Sequence, residues 1–305
     1  ITSDLTEDGT NSLYQWAEQG TGNYTLTIQP DASVARLISG NVLAGLIRFN
    51  SAKRVTIDGS NGTVNSYLTF RNTNTTVTTG TAFTFINGAA NNTIKYCNIE
   101  ATANATNGVM FFSTSAVTIG NSNNIISNCS INATVAGVSG NICIYSAGTA
   151  GKENTTNTIS NNKIFNYRDR ALDITAAGSK SWTINDNSIY NGDVSGGSYA
   201  AASTLHGIRI LGGSEYTISG NYIGGNAALA SGTIASYSSA GIVSFQGILL
   251  TTTSATPASV ITGNTIANIS VSAVPTSATA ANVFIGIETN GSGINIGGPD
   301  AGDGN

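Results

Sequence analysis

The residues best placed to do chemistry lie between Arg168 and Arg209. His206, the only histidine, stands three residues before Arg209, and the run Arg168-Asp169-Arg170 leads into Asp173. Asp173 and Arg209 are each the middle member of a short apolar phrase, Leu172-Asp173-Ile174 and Ile208-Arg209-Ile210. A carboxylate, an arginine and an imidazole on one face could bind an acidic sugar or move a proton. The candidate catalytic set is therefore Asp173, Arg209, Asp169, Arg170 and His206. Against it stands a plain ion pair between neighbouring strands, worth ~0–1 kcal/mol, and the residues favour that reading, because stacked strands bring such pairs together by default. Other chemistries are poorly supplied. A calcium site would need Asp169, Asp173, Asp186 and Asp193 to be gathered by cooperating loops, so no cofactor is expected and calcium is the one candidate. One histidine and three unpaired cysteines do not make a zinc site. No nucleophile-elbow phrase accompanies the histidine.

What must position these residues is a repeated strand. Apolar residues flank a variable one in Ile47-Arg48-Phe49, Phe83-Thr84-Phe85, Met110-Phe111-Phe112, Ile142-Cys143-Ile144, Leu172-Asp173-Ile174, Ile208-Arg209-Ile210, Ile248-Leu249-Leu250 and Ile285-Gly286-Ile287. Strand side chains alternate between faces, so the outer members point to a bore and the middle members outward. The outward column then reads Arg48, Thr84, Phe111, Cys143, Asp173, Arg209, Leu249, Gly286.

A second phrase, Ile-x-x-Asn-x-Ile, occurs as Ile94 to Ile99, Ile126 to Ile131, Ile159 to Ile164, Ile184 to Ile189, Ile218 to Ile223 and Ile261 to Ile266. Its small polar member is Cys97, Cys129, Asn162, Asn187, Asn221 and Asn264, with Ser60 in the equivalent place of the first coil. One polar residue at one phase of each repeat predicts a stacked structural ladder. A bend between strands leaves backbone groups without strand partners, and an amide offers two donors and an acceptor. Cys97 and Cys129 are spaced for a disulfide, but small buried free thiols are the expected state of that pair, and Cys143, on the outward column, is expected to be free as well. Trp182 and Tyr216 hold one phase of consecutive coils, suiting either a supporting aromatic pair or a sugar platform.

A repeat of 25 residues (Asn162 to Asn187) to 43 (Asn221 to Asn264) means a solenoid or array. We expect an all-β, right-handed parallel β-helix with three short strands per coil and about seven to eight coils. Residues 1–45 are expected to form an amino-terminal cap. In it Asn11-Ser12 caps a short helix carrying Leu13, Trp16 and Ala17, and a strand follows at Tyr24–Ile28. Residues 46–305 would be the helix proper, continuing beyond residue 305. Threonine-rich stretches at 73–81 and 251–253 read as solvated loops, since the mixed outward column is not the regular threonine array that ice binding needs.

Only 9% of the residues are charged, against ~25% in ordinary domains, yet isoleucine recurs in phase, which argues against disorder. No apolar run reaches the ~20 residues of a membrane helix, and the net charge of −4 with scattered Lys and Arg does not suit nucleic acid. The coils, triplets and ladder over about residues 45 to 290 resemble the parallel β-helix family of pectate lyases and polygalacturonases. Its catalytic phrases are not matched: His206-Gly207 and Arg209-Ile210 stand in the wrong order and without paired aspartates. Phe83-Thr84-Phe85-Ile86-Asn87, Asn91-Asn92-Thr93-Ile94, Gly108–Ser113 and Tyr222–Asn226 are also similar to β-helical stalks of large surface proteins exported by the type IX route. That resemblance implies an extracellular, cell-surface segment of a larger protein, and no chemistry. The expected role is a non-catalytic structural or adhesive module contacting polysaccharide or cell-surface glycans. A polysaccharide lyase or glycoside hydrolase is the alternative, and an ice- or surface-binding solenoid a second.

Overall fold

A computed structural model describes residues 1–75, 80–102, 107–114, 116–135, 138–175, 178–192, 203–239, 243–273, 284–298 and 304–305. Its frame is three parallel sheets of nine strands, each coil of the chain contributing one strand to each sheet in turn. This is a parallel β-helix. The triplet sheet contains Ile47–Asn50, Phe83–Ile86, Met110–Phe112, Ile142–Ser146, Arg170–Ile174, Ser203–Ile210, Val243–Thr251 and Phe284–Asn290. The chain then enters a threonine sheet, with strands such as Thr158–Ser160 and Thr183–Asn185. It bends again into a ladder sheet, with strands such as Lys163–Phe165 and Ser188–Tyr190.

The amino terminus departs from the expected cap. No helix forms among the described residues, and Leu13–Tyr14 is a strand paired parallel to Phe49 and Asn50. The carbonyls of Gly9, Thr10 and Asn11 accept from the Arg48 guanidinium at 2.5, 3.2 and 3.2 Å. Bonds that a helical turn would have kept for itself therefore anchor the segment to the next coil. With Leu5–Thr6 and Leu26–Ile28 it completes a coil of its own, so the stack has nine coils rather than seven to eight.

The bore is filled by like residues stacked in register. Ile28, Ile57, Ile94, Ile126, Ile159, Ile184, Ile218 and Ile261 form one column. Ile38, Phe70, Ile99, Ile131, Ile164, Ile189, Ile223 and Ile266 form another. In the early coils Phe49, Phe85 and Phe112 stack with nearly parallel rings, their centroids 5.0 and 4.4 Å apart. Burial of this contiguous apolar column is the main source of stability, at ~25 cal/mol per Å² removed from water.

At many bends the chain turns through a residue in the left-handed region. Between the threonine and ladder sheets these are Tyr96, Asn128, Asn161, Asp186, Gly220 and Gly263, at φ of 53–63°. Asn, Asp and Gly tolerate that conformation best. The next residue is the ladder residue. Asn162 accepts the Cys129 N–H at 2.9 Å, donates to the Ile126 carbonyl at 2.9 Å and donates to the Asn187 amide at 3.0 Å. Asn187, Asn221 and Asn264 repeat the pattern, and Asn305 extends it, accepting from Asn264 at 2.9 Å.

Cys97 and Cys129 occupy the same column as free, buried thiols. Ser60 does not. Residues 60–66 are a loop closed by the Tyr67 N–H bonding the Gly59 carbonyl, and Leu68 takes the place beneath Cys97.

A second ladder, not read from the sequence, lines the bend between the triplet and threonine sheets. Asn92 donates to Asn124 at 2.9 Å and Asn124 to Asn157 at 3.0 Å. Trp182 and Tyr216 continue this column, both fully buried, so they are supports and not a sugar platform. The Trp182 indole donates to the Asn154 carbonyl at 2.7 Å, and the Tyr216 hydroxyl to those of Ser179 and Gly212 at 2.7 and 2.8 Å.

Candidate functional site

The register of the triplet sheet aligns four-residue phrases rather than triplets: Val109-Met110-Phe111-Phe112, Cys143-Ile144-Tyr145-Ser146, Ala171-Leu172-Asp173-Ile174, Gly207-Ile208-Arg209-Ile210, Gly247-Ile248-Leu249-Leu250 and Gly286-Ile287-Glu288-Thr289. In the later coils the first member is small because it too faces the bore. A Cβ on Gly207 would lie 2.7 Å from Ile223 and 2.6 Å from the Gly247 carbonyl, and one on Gly247 would lie 2.7 Å from Ile266. Cys143 is therefore fully buried in the bore and not on the outside, and Gly286 is likewise displaced from the outward column. Alternating apolar residues in Ile142–Ser146 fit two frames, and the triplet frame was two residues off. The small residue before each triplet is the signal that fixes the true one.

The outward column accordingly reads Arg48, Thr84, Phe111, Tyr145, Asp173, Arg209, Leu249, Glu288. Beside it runs Ile142, Arg170, His206, Gln246, Ile285. All five candidate residues do come together on this face. The Asp173 carboxylate is fully buried and accepts from Arg209 Nε at 2.8 Å, Arg209 Nη2 at 2.9 Å and Arg170 Nη1 at 2.6 Å. Arg170 also binds Asp169 through Nε at 2.8 Å. The Gln246 amide donates to Glu288 at 2.7 Å. The sequence reading missed Gln246, Glu288 and Tyr145, the last stacked on Phe111 with centroids 5.7 Å apart.

His206 is buried, and its Nδ1 has no hydrogen-bond partner. Burial, reinforced by the Arg209 guanidinium, pulls its pKa down to about 4, so the imidazole is neutral near pH 7. Asp173, gripped by two guanidiniums, has both oxygens occupied. The arrangement is an ion-pair network across two coils.

The remaining candidates are dispersed. Asp186 sits in the bend before Asn187 and accepts from Asn185 at 2.6 Å. Asp193 lies outside the described residues. Among the described residues no three His, Cys, Asp or Glu side chains stand together as a metal site. The threonine stretches are not all solvated loops, since Thr81 is buried against Thr84 and Thr251 ends a strand. A threonine column does exist, on the threonine sheet: Thr27, Thr56, Thr93, Ile125, Thr158, Thr183, Thr217 and Val260 are in register. Set against known proteins, the chain matches no family model, no curated protein and no solved structure.

Proposed function

We propose that this chain is a non-catalytic structural and adhesive β-helix module of a secreted or surface-anchored protein. The supporting observation is the state of the charged patch around Asp173. Asp173, the carboxylate best placed for chemistry, is closed off by Arg170 and Arg209, so the charges serve cohesion between coils. Breaking such a pair is costly because it leaves a charge buried alone. A stiff rod of stacked coils suits a spacer, and the similarity to type IX stalk segments favours a cell-surface setting. Contact with glycans would fall to the partly exposed Phe111–Tyr145 pair, whose rings present a face to a sugar.

The test is a panel of acidic and neutral polysaccharides, with and without calcium, followed by unsaturated-product absorbance and reducing ends. The module reading expects no turnover, and retention on glycan surfaces that weakens in Tyr145→Ala. Turnover lost in a folded Arg209→Ala or His206→Gln variant would replace it with a lyase or hydrolase.

A further inference from the structure

The outer face of the threonine sheet carries a regular lattice that the proposed module role does not use. Thr27, Thr56, Thr93, Thr158, Thr183 and Thr217 stack in one column, broken only by the β-branched Ile125. Two residues along each strand stands a second outward column: Asp58, Lys95, Ser127, Ser160, Asn185, Ser219 and Thr262. All these side chains are partly or fully exposed. Parallel rungs repeat every ~4.8 Å and outward residues on one strand lie ~6.6 Å apart, so the columns form a near-rectangular array.

Charge is confined to its margins. Asp58 and Lys95 neutralise each other at 2.9 Å at the amino-terminal end, and Asp186 and Glu215 lie in the flanking bends. From Ser127 to Thr262 both columns are uncharged. Within the described residues no hydrogen bond engages the hydroxyls of Thr56, Thr93, Thr158, Thr183 or Thr217, which leaves them to water. Threonine is stiff at χ1, so its methyl and hydroxyl are held in place rather than sampled. The columns contain no aromatic ring, which disfavours a sugar chain as the occupant, since sugars are gripped by aromatic faces. What fits an uncharged face with methyls and unengaged hydroxyls at two regular spacings is ordered water, whose oxygen rows in hexagonal ice repeat on the same scale. We propose that the threonine sheet is an ice-binding face, its methyls ordering the first water layer and its hydroxyls fixing that layer's register.

The experiment is thermal hysteresis and ice shaping by the full chain, with adsorption of the fluorescently labelled protein to a growing ice hemisphere. The expected result is a freezing-point gap, faceted crystals and plane-specific adsorption. All three should vanish in Thr158→Lys/Thr183→Lys and persist in Thr69→Lys, which alters the ladder sheet. Circular dichroism confirms that each variant is folded. Should the double lysine variant not fold, Thr183→Val keeps the shape and removes one hydroxyl, and it must lower the hysteresis. Absence of hysteresis and adsorption in the unaltered chain overturns the proposal. So does activity undiminished in the folded variants, or retention on microcrystalline chitin or cellulose in place of ice.

Discussion

The two bends that flank the threonine sheet solve one problem with opposite distributions of residues. At the entry bend the amides are Asn92, Asn124 and Asn157, and the column then passes to Trp182, Tyr216 and Ser259. At the exit bend the column begins with Leu68, Cys97 and Cys129 and then becomes Asn162, Asn187, Asn221, Asn264 and Asn305. Among the described residues, the strand Thr158–Ser160 alone has a ladder asparagine at both ends. The lesson is that a bend requires a partner for its backbone groups rather than asparagine as such. An indole or phenol tip that reaches a carbonyl of another coil meets the need where the entry bend has lost its amide. Thiols meet it weakly: Cys129 Sγ lies 3.7 Å from the Ile94 carbonyl, where Asn162 holds the equivalent Ile126 carbonyl at 2.9 Å.

If both ladders are one device, cutting either in the middle should cost the same. Asn187→Ala leaves the Asn162 backbone N–H and side-chain amide without their acceptor, and Asn124→Ala does the same to the Asn92 backbone N–H and side-chain amide. Each should lose ~2–4 kcal/mol in urea unfolding, since two buried groups go unpaired at ~1–3 kcal/mol apiece. A cost below ~1 kcal/mol for Asn124→Ala beside a full cost for Asn187→Ala would separate the two bends.

Acid offers a way to sharpen the contrast between the ladders and the charged face, because amides do not titrate. His206 has a folded pKa of about 4 against an ordinary 6.5. Between those values the unfolded chain holds the proton and the folded chain does not, so stability falls as pH drops from about 6.5 towards 4 and is unaffected above. The loss from this group is on the order of 3 kcal/mol once the pH is below both values. Thermal unfolding across that range should show it in the parent chain, and His206→Gln should flatten it. An equal slope in His206→Gln would place the titration elsewhere.

Trp182→Phe asks whether the indole replaces an amide by bonding or by bulk. The ring stays, the bond to the Asn154 carbonyl goes, and ~1–2 kcal/mol should be lost in the same unfolding assay. A neutral substitution would mean that packing against Phe112, at 4.9 Å, is what matters at that position.

Legibility in the sequence followed periodicity. Isoleucine spacing and the exit-bend column were readable because one residue type returned at one phase. The entry-bend ladder was hidden, as its column changes from Asn to Trp to Tyr and shares no chemical label. A left-handed residue just before each member, such as Asn91, Asn123, Thr156, Ser181 and Glu215, was equally silent, since these types say little about φ. Of the charged site, the five residues are legible, but three of their neighbours, Tyr145, Gln246 and Glu288, are not. Alternation alone cannot choose between frames two residues apart, and the small bore-facing residues that do choose were read as outward. The threonine face is hidden for a related reason: its threonines stand one per repeat on a sheet other than the triplet sheet, beside the more conspicuous isoleucines.

The smallest effect is also the most direct test of the exit bend. Cys129→Asn would place an amide between Cys97 and Asn162, where Asn162 Oδ1 now receives the Cys129 N–H but no side-chain donor from the preceding coil. The new Nδ2 would reach both that oxygen and the Ile94 carbonyl, replacing a long thiol contact with two amide bonds. The new Oδ1 would face the Cys97 backbone, as Asn162 Oδ1 faces that of Cys129. The left-handed Asn128 already sets the bend, so no backbone change is needed. A net gain of ~0.5–1.5 kcal/mol is expected from the added bonds, read as a higher urea midpoint with an unchanged slope. A loss of stability instead would show that the thiol pair is packed too closely for an amide. The ladder would then stop at Asn162 because of the space beside Cys97, and not because an amide was dispensable there.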